Sequence, residues 1–160
     1  MSTFTDNLIE TNCPGRIYLI VHGWNELITT WWVKPLTNQY LQFGSSDSCV
    51  IFMDYSKYSV VADYFALVNN YKFILETLVK KLWQIKRYGD VEIFGFSFGA
   101  RLAQGAGYNL TLTNGGVPQI SKLELCDPAG PGFDGTTKLV KNPKLSSKNT
   151  ACINTSTDKG

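Results

Sequence analysis

The sequence predicts an α/β fold, a mostly parallel sheet with helices on both faces. Three observations lead to it: short apolar runs bounded by turn residues, a long segment with apolar residues at helical steps, and the alternation of these two kinds of segment along the chain. Residues 16–21 (RIYLIV) form an unbroken apolar run rich in β-branched residues that ends at His22-Gly23, which predicts a buried strand. From about 29 to 43, Trp32, Leu36, Tyr40 and Phe43 recur at helical spacing, and Pro35 fits such a helix only in its first turn. Cys49–Met53 predicts a second buried strand ending at Asp54. Between 62 and 86, Tyr64, Leu67, Val68, Tyr71, Ile74, Leu78, Leu82 and Ile85 follow one another at mostly helical steps, which predicts one long helix. Residues 91–94 predict a third strand, 95–99 a tight turn, 100–108 a helix and 120–126 a fourth strand. From 135 to 148 the composition is Lys, Asn, Pro, Ser and Thr, which predicts a surface loop.

The 160 residues are in the range of one domain, and no internal repeat or low-complexity linker divides them, so residues 1–160 are expected to form a single domain. A hydrophobic share of 44% and a charged share of 18% predict a packed core and exclude disorder. The formal net charge of +2, with no Lys/Arg stripe, leaves no electrostatic footprint for nucleic acid. Four cysteines, at 13, 49, 126 and 152, allow three pairings, and their spacing lacks the C-x-x-C and histidine pattern of a metal site. Two acceptor sequons, Asn109-Leu-Thr and Asn154-Thr-Ser, point toward secretion. Residues 1–12 contain neither a basic n-region nor an apolar h-region, and no run is long and apolar enough to span a membrane. The chain is therefore expected to be cytosolic, or to belong to a secreted protein whose own N-terminus lies elsewhere.

Gly95-Phe96-Ser97-Phe98-Gly99 matches G-x-S-x-G, in which a serine occupies a strained strand-to-helix turn and the glycines let neighbouring backbone pass closely. The predicted strand before it and helix after it supply the required context. Ser97 is thus the candidate nucleophile and the Phe98 N–H a candidate oxyanion donor. The loop after the first strand, His22-Gly23-Trp24, is where a second oxyanion N–H is expected, and Trp24 is that candidate. His22 precedes Ser97, whereas the base in this arrangement comes last in the order Ser, Asp/Glu, His, so a structural role is expected for it. Asp127 ends the strand after the elbow helix and is the best-placed acid, against the alternative of an Asp-Pro turn initiator. Asp54 and Asp134 are lesser candidates.

Val21-His22-Gly23-Trp24, Asp54-Tyr-Ser, Gly95-Phe-Ser97-Phe-Gly-Ala100, Ala106-Gly107 and Leu125-Cys-Asp127-Pro-Ala-Gly-Pro-Gly-Phe133, in that order, resemble the animal pancreatic-type lipase family, which includes triacylglycerol lipases, phospholipases A1 and insect relatives. The resemblance covers most of residues 16–134. It implies an α/β-hydrolase core whose C-terminal part is missing here, a lipid-ester substrate or lipid interface as partner, no cofactor, and an extracellular full-length parent. It carries the nucleophile onto Ser97, the triad acid onto Asp127 and the oxyanion N–H groups onto Trp24 and Phe98. The tail Ala151-Cys-Ile-Asn154-Thr-Ser resembles the family's next strand, with Asn154 where a non-catalytic histidine often stands. The catalytic histidine arrives further downstream in the family, so this chain is expected to be inactive by itself. The alternative that the resemblance holds open is a non-catalytic lipid-binding or yolk/storage-type protein.

Overall fold

A computed structural model of the chain describes residues 2–4, 13–135 and 138–155. The apolar run of the first predicted strand forms β2 (Ile17–Val21), all five residues buried. It lies at the middle of a parallel sheet and is covered on both faces, which is why it does not alternate. Around it stand β3 (Cys49–Met53), β4 (Val91–Phe96), β5 (Lys122–Cys126) and β6 (Asn149–Ile153). A short N-terminal strand, β1 (Ser2–Phe4), adds to the edge at β3. The order is β1-β3-β2-β4-β5-β6 and every pairing is parallel, with Val21 level with Met53 on one side and with Gly95 on the other. The chain builds outward from β2 to β3 and then crosses back to β4. The carboxyl ends of β2 and β4 thus flank the point where the winding reverses, where open α/β sheets form their ligand crevice.

Helices cover the two faces unequally. On one face α4 (Tyr71–Ile85) and α5 (Phe98–Thr113) bury Ile74, Leu78, Leu82, Leu102, Ala106 and Leu110 against Leu19, Ile51, Ile93 and Leu123. On the other, α1 (Val33–Phe43) packs Val33, Leu36 and Tyr40 over Tyr18, Ile20, Val50 and Phe52. Pro35 falls in the first turn of α1, where its missing N–H costs nothing. On this face β4 and β5 carry the half-buried polar residues Glu92, Lys122 and Glu124. Arg16 pairs with Glu92 at 2.9 Å, and Glu124 accepts from Tyr40 Oη at 2.7 Å and pairs with Lys122 at 2.6 Å.

The long helix expected from 62 to 86 is two helices, α3 (Tyr64–Asn69) and α4, preceded by a single turn, α2 (Ser56–Ser59). Asn70 makes the break: its N–H bonds back to Leu67 and Val68 carbonyls and its side-chain amide donates to the Ala66 carbonyl at 2.8 Å. These local bonds compete with helix continuation, and the apolar stripe runs on across the break because both helices face the same core. The helix after the elbow starts at Phe98 and runs to Thr113, longer than 100–108, and β4 extends two residues beyond 94. The loop expected at 135–148 is less superficial than its composition suggests. Ser146 and Ser147 are buried, and a Cβ on Gly107 would meet the Ser146 carbonyl at 2.1 Å, so only glycine lets this loop lie on α5.

Of the three cysteine pairings open at the sequence level, the fold forms Cys13–Cys49, with Cα atoms 6.0 Å apart and a sequence separation of 36; Cys126 and Cys152 are free thiols. The bridge ties the segment before β2 to the start of β3. Among the described residues no helix is long and apolar enough to cross a membrane. Loop-closure entropy for a 36-residue separation predicts that Cys13→Ser with Cys49→Ser lowers unfolding free energy by about 3–4 kcal/mol, measurable as a lowered urea midpoint with a slope that rises as the unfolded chain expands.

Candidate active site

Strand β4 delivers Ser97 into a turn that only close backbone packing can hold. Ser97 has φ 54° and ψ −117°, a conformation an L-residue avoids, and α5 begins at the next residue. A Cβ on Gly95 would stand 2.7 Å from the Gly99 carbonyl oxygen and from Ala100 Cα, and one on Gly99 would stand 2.2 Å from the Val21 carbonyl oxygen. The two motif glycines therefore let the first turn of α5 lie directly on the ends of β4 and β2. Ser97 itself is tied at both backbone groups: its N–H donates to the Cys126 carbonyl at 2.9 Å, and its carbonyl accepts from Ala129 N–H and Ala100 N–H, each at 3.1 Å.

Non-glycine residues with positive φ among those described are Asn25 (55°), Ser97 (54°) and Asp127 (43°). They follow β2, β4 and β5, neighbours in the sheet, so the strain collects at one end of it. Each such residue costs on the order of 1–3 kcal/mol, which packing elsewhere must offset. An open cleft of about 820 Å³ lies there, lined among others by Trp24, Tyr64, Phe65, Ser97, Arg101 and Asp127.

The His22-Gly23-Trp24 loop runs past the serine. A Cβ on Gly23 would lie 3.1 Å from Ser97 Cβ. Gly23 N–H donates to Glu26 Oε2 at 2.6 Å, and the other oxygen of Glu26 accepts from Trp32 Nε1 at 2.6 Å. Trp24 Nε1 donates to the Val61 carbonyl at 2.8 Å, while the Trp24 backbone N–H makes no hydrogen bond among the described residues. Phe98 N–H, at the first position of α5, is one of the donors a helix leaves without an intrahelical acceptor. Gly23, the residue before Trp24, thus lies against Ser97, and Phe98 follows Ser97 in the chain.

Asp127 lines the same cleft. Its N–H donates to the Ile153 carbonyl at 2.7 Å, and its carboxylate accepts from Thr155 N–H at 2.5 Å and from Thr155 Oγ1. Asp134 also lines the cleft, whereas Asp54 turns to Ser56 N–H at 2.9 Å and lies outside it. Thr155, Glu26 and Arg101 were not among the expected site residues. Arg101 had a signal, since it stands four positions after Ser97 on a helix. Glu26 and Thr155 act through loop contacts that no spacing rule encodes.

His22 is fully buried, stacked between Tyr55 at 4.1 Å and Phe52 at 5.1 Å. Its Nδ1 bonds the Gly23 carbonyl at 2.9 Å, and its Nε2 faces the Tyr55 N–H at 3.5 Å. Both nitrogens are turned to backbone, with Nδ1 the donor, and burial lowers its pKa to about 4 despite the Gly23 bond and the charge of Asp54. Its ring thereby braces the His22-Gly23-Trp24 loop. Among the described residues no group of His, Cys, Asp and Glu could hold a metal ion.

No protein-family model matches the chain. It is 28% identical over 134 residues to the hepatic triacylglycerol lipase of Rattus norvegicus, an overlap of 79% of this chain and 26% of that lipase, so it spans about a quarter of the relative's length. Among solved structures it overlaps the phospholipase PlaB from Legionella pneumophila (TM-score 0.44, 15% identity, 72% of this chain and 25% of that one). It also overlaps the RedJ thioesterase of the prodiginine pathway in Streptomyces coelicolor (TM-score 0.46, 16% identity, 83% and 47%). A third is a brefeldin A esterase described as a bacterial homologue of human hormone sensitive lipase (TM-score 0.42, 16% identity, 86% and 39%). The parallel sheet, its helices and the serine elbow after β4 define a partial α/β-hydrolase fold.

Burial of His22 makes stability depend on pH. Its folded pKa is below the unfolded value of 6.5, so between about 4 and 6.5 the unfolded chain holds more protons. Stability is full above 6.5 and falls as pH drops toward 4, by about 3 kcal/mol from this group. Urea midpoints measured across that window should slope upward with pH, and His22→Asn should flatten the slope while lowering stability at pH 7.

Proposed function

We propose that these residues form the nucleophile-bearing part of a serine carboxylic-ester hydrolase that acts on lipid esters, of the pancreatic-type lipase family. The observation that carries the reading is that Ser97 and Asp127, two strained non-glycine residues at the carboxyl ends of the adjacent strands β4 and β5, line one cleft. Ser97 Oγ attacks the ester carbonyl while an imidazole takes its proton. Trp24 and Phe98 N–H hold the developing oxyanion, aided by the positive end of α5, and the acyl-enzyme is then hydrolysed by water. Asp127 orients the imidazole. The apolar wall of Trp24, Tyr64 and Phe65 suits an acyl chain.

His22 is the single histidine of the sequence and is taken up beneath the loop, so the reading assigns the imidazole to polypeptide outside these 160 residues. The Cys13–Cys49 bridge supports a secreted parent, since disulfides persist in oxidising compartments. A second reading, a lipid-binding protein without turnover, is favoured by one observation: the Asp127 carboxylate accepts two bonds from Thr155.

A form of the protein that includes a histidine-bearing segment should hydrolyse a short-chain ester such as p-nitrophenyl butyrate, and Ser97→Ala should lower kcat by roughly 10³-fold or more. Unchanged turnover in that variant would remove Ser97 from the mechanism, and lipid binding with no turnover in the parent would favour the second reading. The 160-residue chain by itself should show no turnover, and robust hydrolysis by it would return His22 to the role of base.

A further inference from the structure

Neither the elbow motif nor the family resemblance distinguishes a neutral triacylglycerol from a phospholipid as substrate, and Arg101 bears on that choice. It is four residues after Ser97, on the same face of the first turns of α5, and lines the cleft with Ser97 and Asp127. Its guanidinium is half-buried and held in place. Nε donates to the Ala129 carbonyl at 2.7 Å, and the plane packs 5.6 Å from the ring centre of the fully buried Phe133. Arginine has five N–H donors in a fixed fork, and Nε uses one. The terminal nitrogens make no hydrogen bond among the described residues, and no described carboxylate lies within ion-pair distance of them. Asp134 and Cys152 line the same cleft and act on the charge from further away.

A half-buried cation without a paired anion is costly, because water has been partly removed and nothing replaces it. A neutral substrate would deepen that cost by covering the cleft. A phosphate would offset it, since the fork matches phosphate oxygens in a bidentate way. Arg101 stands one helical turn from Ser97, an offset that suits a phosphate carried by the alcohol part of the ester and not the carboxyl group attacked at Ser97 itself. We propose that Arg101 reads the phosphate of a glycerophospholipid whose acyl ester lies at Ser97. This rests on the lipid-ester reading above and narrows it to phospholipids.

The test uses the full 160-residue chain and binding alone, read by intrinsic tryptophan fluorescence with calorimetry as a check. The probes are dihexanoylphosphatidic acid, dihexanoylglycerol and inorganic phosphate, with the lipids below their aggregation concentrations. The phosphate-bearing lipid should bind about tenfold more tightly than the neutral one, in keeping with hydrogen bonds to a charged group, and inorganic phosphate much more weakly than either lipid. Arg101→Gln should abolish the preference, and Arg101→Lys, which retains the charge but not the fork, should keep only part of it. Equal affinity of the wild type for both lipids would overturn the proposal while leaving the lipid-ester reading intact. A preference that survives Arg101→Gln would overturn it too. A Lys variant that loses neutral-lipid affinity together with the preference would assign Arg101 to bracing the Ala129 loop instead. Phosphate binding as tightly as the lipid would overturn the lipid assignment, and binding of neither lipid would overturn the ester-hydrolase reading itself. Unchanged far-UV circular dichroism in both variants excludes misfolding as the cause.

Discussion

The arrangement at the cleft depends on one close approach, that of the first turn of α5 to the carboxyl end of β2. Gly99 lies so near the Val21 and His22 carbonyls that no side chain fits, and Gly95 is pressed in the same way against Gly99 and Ala100. That contact holds Ser97 in a backbone conformation it would not adopt alone, and it sets the His22-Gly23-Trp24 loop beside it. Parallel pairing of β2, β4 and β5 supplies the frame, because it brings three strand ends to one edge. The strain at Ser97 is offset by the core beneath, where Phe98 and Phe133 are fully buried and Tyr71 packs edge-on to both rings.

The loops around the serine are held by polar groups, some local and some drawn from distant parts of the chain. Glu26 bridges Gly23 N–H to the indole of Trp32, whose ring packs on Phe94 and Phe96 of β4. His22 sits below, neutral and stacked, with Tyr55 Oη donating to its carbonyl. On the other side Ala129 receives Arg101 at its carbonyl and gives its N–H to Ser97, so the loop that follows Asp127 is fastened to the helix that follows Ser97. Each partner faces buried or half-buried surroundings, where an unmatched hydrogen-bonding group is expensive, and this gives the loops a single conformation.

Much of the fold was legible. β2 and β3 are short apolar runs between turn residues, and Cys49–Met53 has the bounds read from its residues, while β6 was expected only from the family resemblance. The elbow was legible for a different reason: glycine at 95 and 99 around a serine is a steric requirement written in residue type. The break at Asn70 was not, because the apolar spacing carries on through it and the competing bonds come from a side-chain amide that spacing does not register. Strand β1 was missed because three residues carry no periodicity.

The sequence by itself determined the strands β2 to β5, the helices α1, α4 and α5, and which serine is strained, since hydrophobic period and glycine placement act locally. It also determined that His22 precedes the serine. Tertiary structure alone decided that Cys13 pairs with Cys49, that Thr155 meets Asp127, and that Arg101 lines the Ser97 cleft with no described carboxylate at ion-pair distance. These are meetings between residues far apart in the chain, and strand order, not spacing, brings them together.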